Sequence, residues 1–369
     1  MAEWYSIENI NELDTPALVI YPERVKKNIE LLRAFSDNFN AVRPHVKTNK
    51  CPQVVRLMLE AGITRYKCAT IAEAEMVAME GGNDVLLAYQ PVGPKARRFC
   101  ELARKFQDTD FSCLVDNPKT LAELSALGVE HRRDIAVFID LNVGMNRTGI
   151  TPGAKAFELY EQAKAAPGIV FKGLHAYDGH LRDTDLSARK EKCDEAFKQV
   201  ESLANKITEA GHQRIVIVAG GTPTFPIHAK RKGVEASPGT FIFWDRGYQQ
   251  LLAEQPFNFA ALVVTRVISR PDKDTICIDL GHKSIASENA ISERVHFMNA
   301  SDLVPVGHSE EHMVFKSASA DTFSPGDVFY GVPHHICPTV ALYDEARICD
   351  NNKIKDTWPI LSRKRKLTI

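Results

Sequence analysis

Residues 66–87 read YKCATIAEAEMVAMEGGNDVLL, and this stretch sets the pattern for the first two thirds of the chain. A strand starts near Tyr66, positions 71–80 carry helical spacing, and a second strand starts near Asp84. The same alternation extends in both directions. Candidate strands begin near Ala17, Asn40, Asp110, Ile135, Val170, Ile215 and Val234, and the stretches 22–35, 52–61, 94–106, 119–127, 154–166 and 188–210 read as helices. In the first helix Val25, Ile29, Leu32 and Phe35 recur at helical spacing behind Pro22, a residue suited to a first helical turn. Strands joined through helices run parallel, and eight such units close a (β/α)8 barrel of about 250 residues. With Ala17 as a lead-in, the other eight strands make that barrel; a doubly wound open sheet fits the alternation too.

Past Tyr248 the texture changes: 260–268, 275–280, 312–316 and 327–330 read as strands with no helices between them. The expected organisation is a barrel over residues 15–246 and an antiparallel β domain over 247–369, joined by residues 1–14. A length of 369 residues exceeds the roughly 100–200 of one ordinary domain. Lys and Arg total 46 against 47 Asp and Glu, so no excess charge is present to grip nucleic acid or an anionic membrane. The first residues lack a basic, then apolar, leader, and runs such as 260–264 fall far short of a membrane span, so a soluble cytoplasmic chain is expected. The eight cysteines form no C-x-x-C pair and read as reduced core residues.

In a barrel, chemistry gathers where strands end. The first barrel strand runs into Arg43-Pro-His-Val-Lys47-Thr-Asn-Lys50; a lysine there can form a Schiff base, or sit on the surface before a helix. Arg147, in the turn Gly144-Met-Asn-Arg147-Thr-Gly149, is a permanently charged, forked donor suited to an anionic oxygen. Gly173-Leu-His-Ala-Tyr177-Asp-Gly179-His180 brings imidazole and phenol beside glycine, as functional groups or as satisfied core residues. After the strand at Ile215, Gly220-Gly221-Thr222-Pro223 has the make-up of a phosphate cradle, with free N–H groups and a helix dipole, or of a structural turn. It is neither a dinucleotide nor a P-loop signature. Ser237-Pro-Gly239-Thr240 offers a second approach to the same anion. Near the end, His335-Ile-Cys337 on a strand puts two soft ligands on one face; that suits zinc once further ligands complete its shell, and such a pair also arises by chance.

Together these residues resemble the fold-type III pyridoxal-phosphate enzymes, typified by alanine racemase, and most closely the D-threonine aldolase and D-serine dehydratase branch. The resemblance rests on Thr15-Pro-Ala-Leu-Val, Arg43-Pro-His-x-Lys47-Thr-x-Lys50, Gly144-x-x-Arg147-x-Gly149, Ala176-Tyr177-x-Gly179, Gly220-Gly221-Thr222, Ser237-Pro-Gly239, Glu311-His312 and His335-x-Cys337-Pro-Thr, in that order along nearly the whole chain. It implies a homodimer in which Lys47 carries the cofactor, Arg147 donates to its phenolic oxygen, Tyr177 lines it, and Gly220, Gly221, Thr222, Gly239 and Thr240 hold its phosphate. His335 and Cys337 would hold a divalent metal.

Three departures bear on the reaction. Ser237 stands where alanine racemases carry an arginine, which argues against racemisation. Asn49 replaces a histidine common among the aldolases, and Cys337 an aspartate found in some; a thiolate favours Zn²⁺, a carboxylate Mg²⁺ or Mn²⁺. The function implied is a metal-dependent lyase for β-hydroxy-D-amino acids, with D-threonine aldolase as the first reading. D-serine dehydratase is the alternative, followed by an amino-acid racemase or a non-catalytic pyridoxal-phosphate carrier.

Overall fold

The computed structural model describes residues 3–36, 39–212 and 214–369. In chain order its strands are β1 (Ala17–Ile20), β2 (Arg65–Cys68), β3 (Asp84–Leu87), β4 (Asp110–Val115), β5 (Ile135–Leu141), β6 (Ile169–Ala176), β7 (Val216–Ala219), β8 (Val234–Ala236), β9 (Ala261–Asp272), β10 (Thr275–Ile278), β11 (Val295–Phe297), β12 (Val304–His308), β13 (Met313–Lys316), β14 (Val328–Pro333), β15 (Glu345–Asp350) and β16 (Lys353–Pro359). The chain divides into two compact units, one of Met1–Leu31, Thr48–Val54 and Thr240–Arg363, the other of Leu32–Lys47, Val55–Gly239 and Lys364–Ile369.

The second unit is built on a seven-stranded parallel sheet in the order β2-β3-β4-β5-β6-β7-β8. The strand expected near Asn40 is not a full strand: Phe39–Ala41 is a 3-10 turn, and only Val42 and His45 form bridges, to Ala236 and Lys67. Those bridges nonetheless curl the sheet into a barrel. Arg43 and His45 donate to the carbonyls of Ala236 and Pro238, both at 2.9 Å, while Val46 donates to Lys67 and Lys67 to Pro44. Pro44 has no N–H for the β2 side, so the ladder there is one bond short. Inside, Leu86, Leu114, Phe138 and Val218 form one buried layer from four strands. Burying each such side chain stabilises the barrel by roughly 1.5–3 kcal/mol.

Local chemistry fixes the helix starts. Before the helix Ile71–Met79, Thr70 accepts from Glu73 N at 3.0 Å while the Glu73 carboxylate accepts from Ala69 N, a reciprocal cap. Asn117 and Asp185 make one-way caps, accepting from Thr120 N and Ala188 N at the starts of Pro118–His131 and Leu186–Glu209. Among the described residues no helix is long and apolar enough to cross a membrane, and the eight cysteines are free thiols.

In the first unit the sheet order is β12-β13-β10-β9-β1-β15-β16, with β14 pairing β9 and β11. It is mostly antiparallel, but β1 runs parallel to β15 and antiparallel to β9. Val263, Ile276, Ile278, Phe297, Met313, Phe315 and Phe329 form its core.

Candidate functional site

Tyr177, just past the end of β6, is the centre of a cationic cluster. Lys47 Nζ lies 5.9 Å from its ring centroid, Lys67 Nζ 5.6 Å and Arg147 Cζ 5.0 Å. Lys47 ends the closing segment and is half-buried. Lys67, on β2, is only 3% exposed, and its ammonium is pushed down to about 7 by burial first and then by Lys47. A lysine in the short run Arg65-Tyr-Lys67-Cys68 reads as solvent-facing in sequence; only the inward register of β2 reveals it.

The Arg147 loop is held from within. The Asn142 side-chain oxygen accepts from the N–H groups of Gly144 and Asn146 at 3.1 and 3.0 Å. Gly149 closes the loop at φ +96°, where a Cβ would stand 2.6 Å from Asn142 N, and its own N–H donates to Asp116 at 3.1 Å.

Neighbouring β5 and β6 place His175 Nδ1 2.6 Å from Asp140. Burial opposes the Asp140 charge, but the His175 bond outweighs it and holds the carboxyl below its usual range; burial and Lys67 push His175 downward. A neutral imidazole donating Nδ1–H to a carboxylate leaves Nε2 as a bare acceptor. That atom is buried and has no partner among the described residues.

After β7, Gly220 sits at φ +76°, and a Cβ there would lie 2.6 Å from His228; one on Gly221 would lie 2.9 Å from the Tyr177 ring. Gly239 N donates to Thr222 Oγ1 at 3.1 Å, tying the two glycine turns together. The Ser237 hydroxyl is buried without a partner among the described residues. The helix beyond Pro223 is only Phe225–His228, a single turn, so its dipole is much weaker than the sequence suggested.

Below this turn is a group that no spacing announced. Asp178, Cys193 and His228 are all buried, with ligating atoms within 4.8 Å of one another, a set able to hold a metal ion. His228 Nε2 lies 2.8 Å from Asp178 and 3.3 Å from Cys193, while Thr224 donates to Asp178 at 2.7 Å. Burial would raise the Asp178 carboxyl, but these bonds hold it below its usual range.

His335 and Cys337 belong to the other unit. They are not on a strand: His335 precedes a short helix, Ile336–Val340, whose first turn takes Pro338 because no N–H is needed there. The two side chains still meet through a hydrogen bond, and His335 Nδ1 lies 2.5 Å from Glu288. Burial works against the imidazolium, but Cys337, Glu288 and Asp245 push it up to about 9. Cys337 Sγ is 3.2 Å from Thr48 and 3.8 Å from Thr240, which opens the 3-10 turn Thr240–Ile242. Asp245 fixes the segment by accepting from Ile336 N at 3.1 Å.

The alanine racemase N-terminal domain matches residues 20–246, and a serine dehydratase domain matches residues 260–349. A D-threonine aldolase from Arthrobacter sp is 30% identical over 361 residues, covering 95% of this chain and 93% of its own. A D-threo-3-hydroxyaspartate dehydratase from Delftia sp. (strain HT23) is 25% identical, over 94% of this chain and 97% of its own. The crystal structure of D-threonine aldolase from Filomicrobium marinum superposes with a TM-score of 0.87 at 25% identity, over 95% of this chain and 96% of that one. With a barrel of this topology, cations gathered at its strand ends and a family match over more than half its length, the chain belongs to the alanine-racemase-like, fold-type III family of pyridoxal-phosphate enzymes.

Proposed function

We propose that this protein is a pyridoxal-phosphate- and metal-dependent lyase acting on β-hydroxy-D-amino acids, and that its reaction is the aldolase one: D-threonine to glycine and acetaldehyde. The observation that carries the reading is the convergence of Lys47, Lys67 and Arg147 on Tyr177, whose ring packs against Gly221. The residues fit the cofactor. His175 Nε2 and the Ser237 hydroxyl are buried polar atoms wanting partners, and Gly220 and Gly221 keep their backbone bare because a Cβ would strike His228 or the Tyr177 ring.

In this reading Lys47 holds the cofactor, Arg147 donates to its phenolic oxygen, Tyr177 bounds it, and Gly220, Gly221, Thr222, Gly239 and Thr240 grip its phosphate. Bound there, pyridoxal phosphate supplies an electron sink for the substrate. Lys67, poised near neutrality, accepts and returns a proton, and burial keeps it neutral enough to do so. His335 and Cys337, a soft pair with Glu288 behind the imidazole, hold the divalent metal; zinc suits the thiolate. The likeness to the Arthrobacter D-threonine aldolase supports the aldolase reading over 95% of the chain. Cys337 and the serine dehydratase match to residues 260–349 favour the second reading, a dehydratase.

Incubating the cofactor- and metal-loaded protein with D-threonine separates them, because both reactions consume it. Glycine with acetaldehyde establishes the aldolase; 2-ketobutyrate with ammonia replaces it with the dehydratase. No turnover of any β-hydroxy-D-amino acid overturns both.

A further inference from the structure

The strand ends used above lie at one mouth of the barrel; the other mouth is not filled. Side chains two residues apart on a strand share a face, so Ser112 and Ala136 point the same way as Leu114 and Phe138 of the buried layer. Barrels ordinarily fill each such layer with bulky branched side chains. Here the layer at the strand starts is small, and a cavity of about 410 Å³ remains, within the size range of small-molecule pockets.

Its chemistry is that of a binding site. Ser112 lines the cavity; it is 4% exposed, and its buried hydroxyl has no partner among the described residues. Phe138, on the same face as Ser112 and Ala136, supplies an aromatic wall. Deeper charges are committed: Arg43 binds both carboxylate oxygens of Asp84, at 2.7 and 2.9 Å, and Glu235 at 2.7 Å, while Arg65 holds the other Glu235 oxygen at 2.8 Å. At the rim Arg104, Arg133 and Lys172 are exposed, and none has a side-chain partner among the described residues; Asp110 and Asp134 are the opposing carboxylates. The rim therefore carries an excess of one positive charge.

We propose that this mouth is a second ligand site, distinct from the Lys47 end, for a small organic monoanion with an aromatic body. The ring enters against Phe138 and Ala136, and the acid group stays at Arg104, Arg133 and Lys172.

The test is a fluorescence titration of the cofactor-loaded protein with 8-anilinonaphthalene-1-sulfonate, an aromatic monoanion. Saturable binding is expected, displaced by 3-phenylpropionate much better than by 3-phenylpropanol. Ala136→Phe, which fills the cavity, should weaken it about tenfold or more, and the double variant Arg133→Glu/Lys172→Glu by a similar factor. Both should keep the near-visible absorbance of the bound cofactor. The rim variant alters only exposed residues, so it remains informative if Ala136→Phe does not fold. Absence of saturable binding in the parent overturns the proposal, as does equal displacement by the acid and the alcohol. So does unchanged affinity in the rim variant, or in a folded Ala136→Phe protein.

Discussion

Lys67 should cost the protein stability at neutral pH, and the cost should vanish in alkali. Its ammonium is 3% exposed, and its pKa falls from an ordinary 10.5 to about 7, chiefly through burial and secondarily through Lys47. At 1.36 kcal/mol per pH unit this difference amounts to about 5 kcal/mol, an order-of-magnitude figure. The sign follows from proton binding. Between pH 7 and 10.5 the unfolded chain holds the Lys67 proton and the folded chain does not, so unfolding free energy rises with pH at up to about 1.4 kcal/mol per unit. The penalty is full below pH 7 and relieved as pH climbs toward 10.5. From pH 7 to 9 the gain is about 2 kcal/mol. Lys67→Met keeps most of the side-chain volume and removes the charge. Urea unfolding of the cofactor-free protein should therefore show a parent-minus-variant difference that shrinks by about 2 kcal/mol over that interval. The variant should be the more stable of the two at pH 7 and should lose turnover. Parallel pH profiles, or a variant less stable at pH 7, would refute the assignment of a buried, proton-poor lysine.

Three further outcomes follow from the same geometry. Lys47→Ala should abolish the near-visible absorbance of the lysine-bound cofactor, and a retained band would move the attachment elsewhere. His335→Ala should remove activity and bound metal while leaving cofactor content intact; activity that survives prolonged dialysis against a chelator would contradict the metal role. Arg43→Met should destabilise the barrel by about 3 kcal/mol or more, because Glu235 is left buried without its Arg43 partner, whereas half-exposed Asp84 adds less. Urea unfolding checks it, and a loss below about 1 kcal/mol would mean that the network relaxes around the gap.

What could be read in the sequence was local, and what could not was a matter of register and distance. The strands starting near Asp84, Asp110 and Ile135 were legible because β-branched and apolar runs alternate with helical spacing, and β3, β4 and β5 begin at those residues. The segment at Asn40 misled because its barrel role depends on pairing partners at Ala236 and Lys67, while Pro44 weakens its own strand signal. His335-x-Cys337 was found as a pair but placed on a strand, since a two-residue offset fits period two and hides a first helical turn. His175 reads alone in sequence because its partner Asp140 lies 35 positions earlier. Asp178, Cys193 and His228 went unnoticed because separations of 15 and 35 residues match no ligand spacing; β6, the long helix and the Phe225–His228 turn bring them together. Lys67 depended on the parity of one short strand.

The same limits explain why membership of the family does not choose the reaction. Aldol cleavage and dehydration would both start from a β-hydroxy-D-amino acid at the same site, where the cofactor would supply an electron sink and a metal held by His335 and Cys337 would polarise the hydroxyl. They part at the first proton: removal from the hydroxyl breaks the Cα–Cβ bond, while removal from Cα expels water. If Ser237 faces the ring nitrogen, as the resemblance implies, its hydroxyl could donate or accept where an arginine could only donate, and it would not force the protonation state of the ring. Control then falls to the bases. Lys47 and Lys67 lie within 6 Å of the same Tyr177 ring, and Lys47 helps to push the Lys67 ammonium down. Lys67→Met tests which of them takes that proton. If Lys67 serves the hydroxyl, the variant loses aldehyde release but still exchanges the α-proton of D-threonine with deuterated solvent through Lys47. Loss of exchange together with cleavage would assign the α-proton to Lys67 and turn the chain toward dehydration.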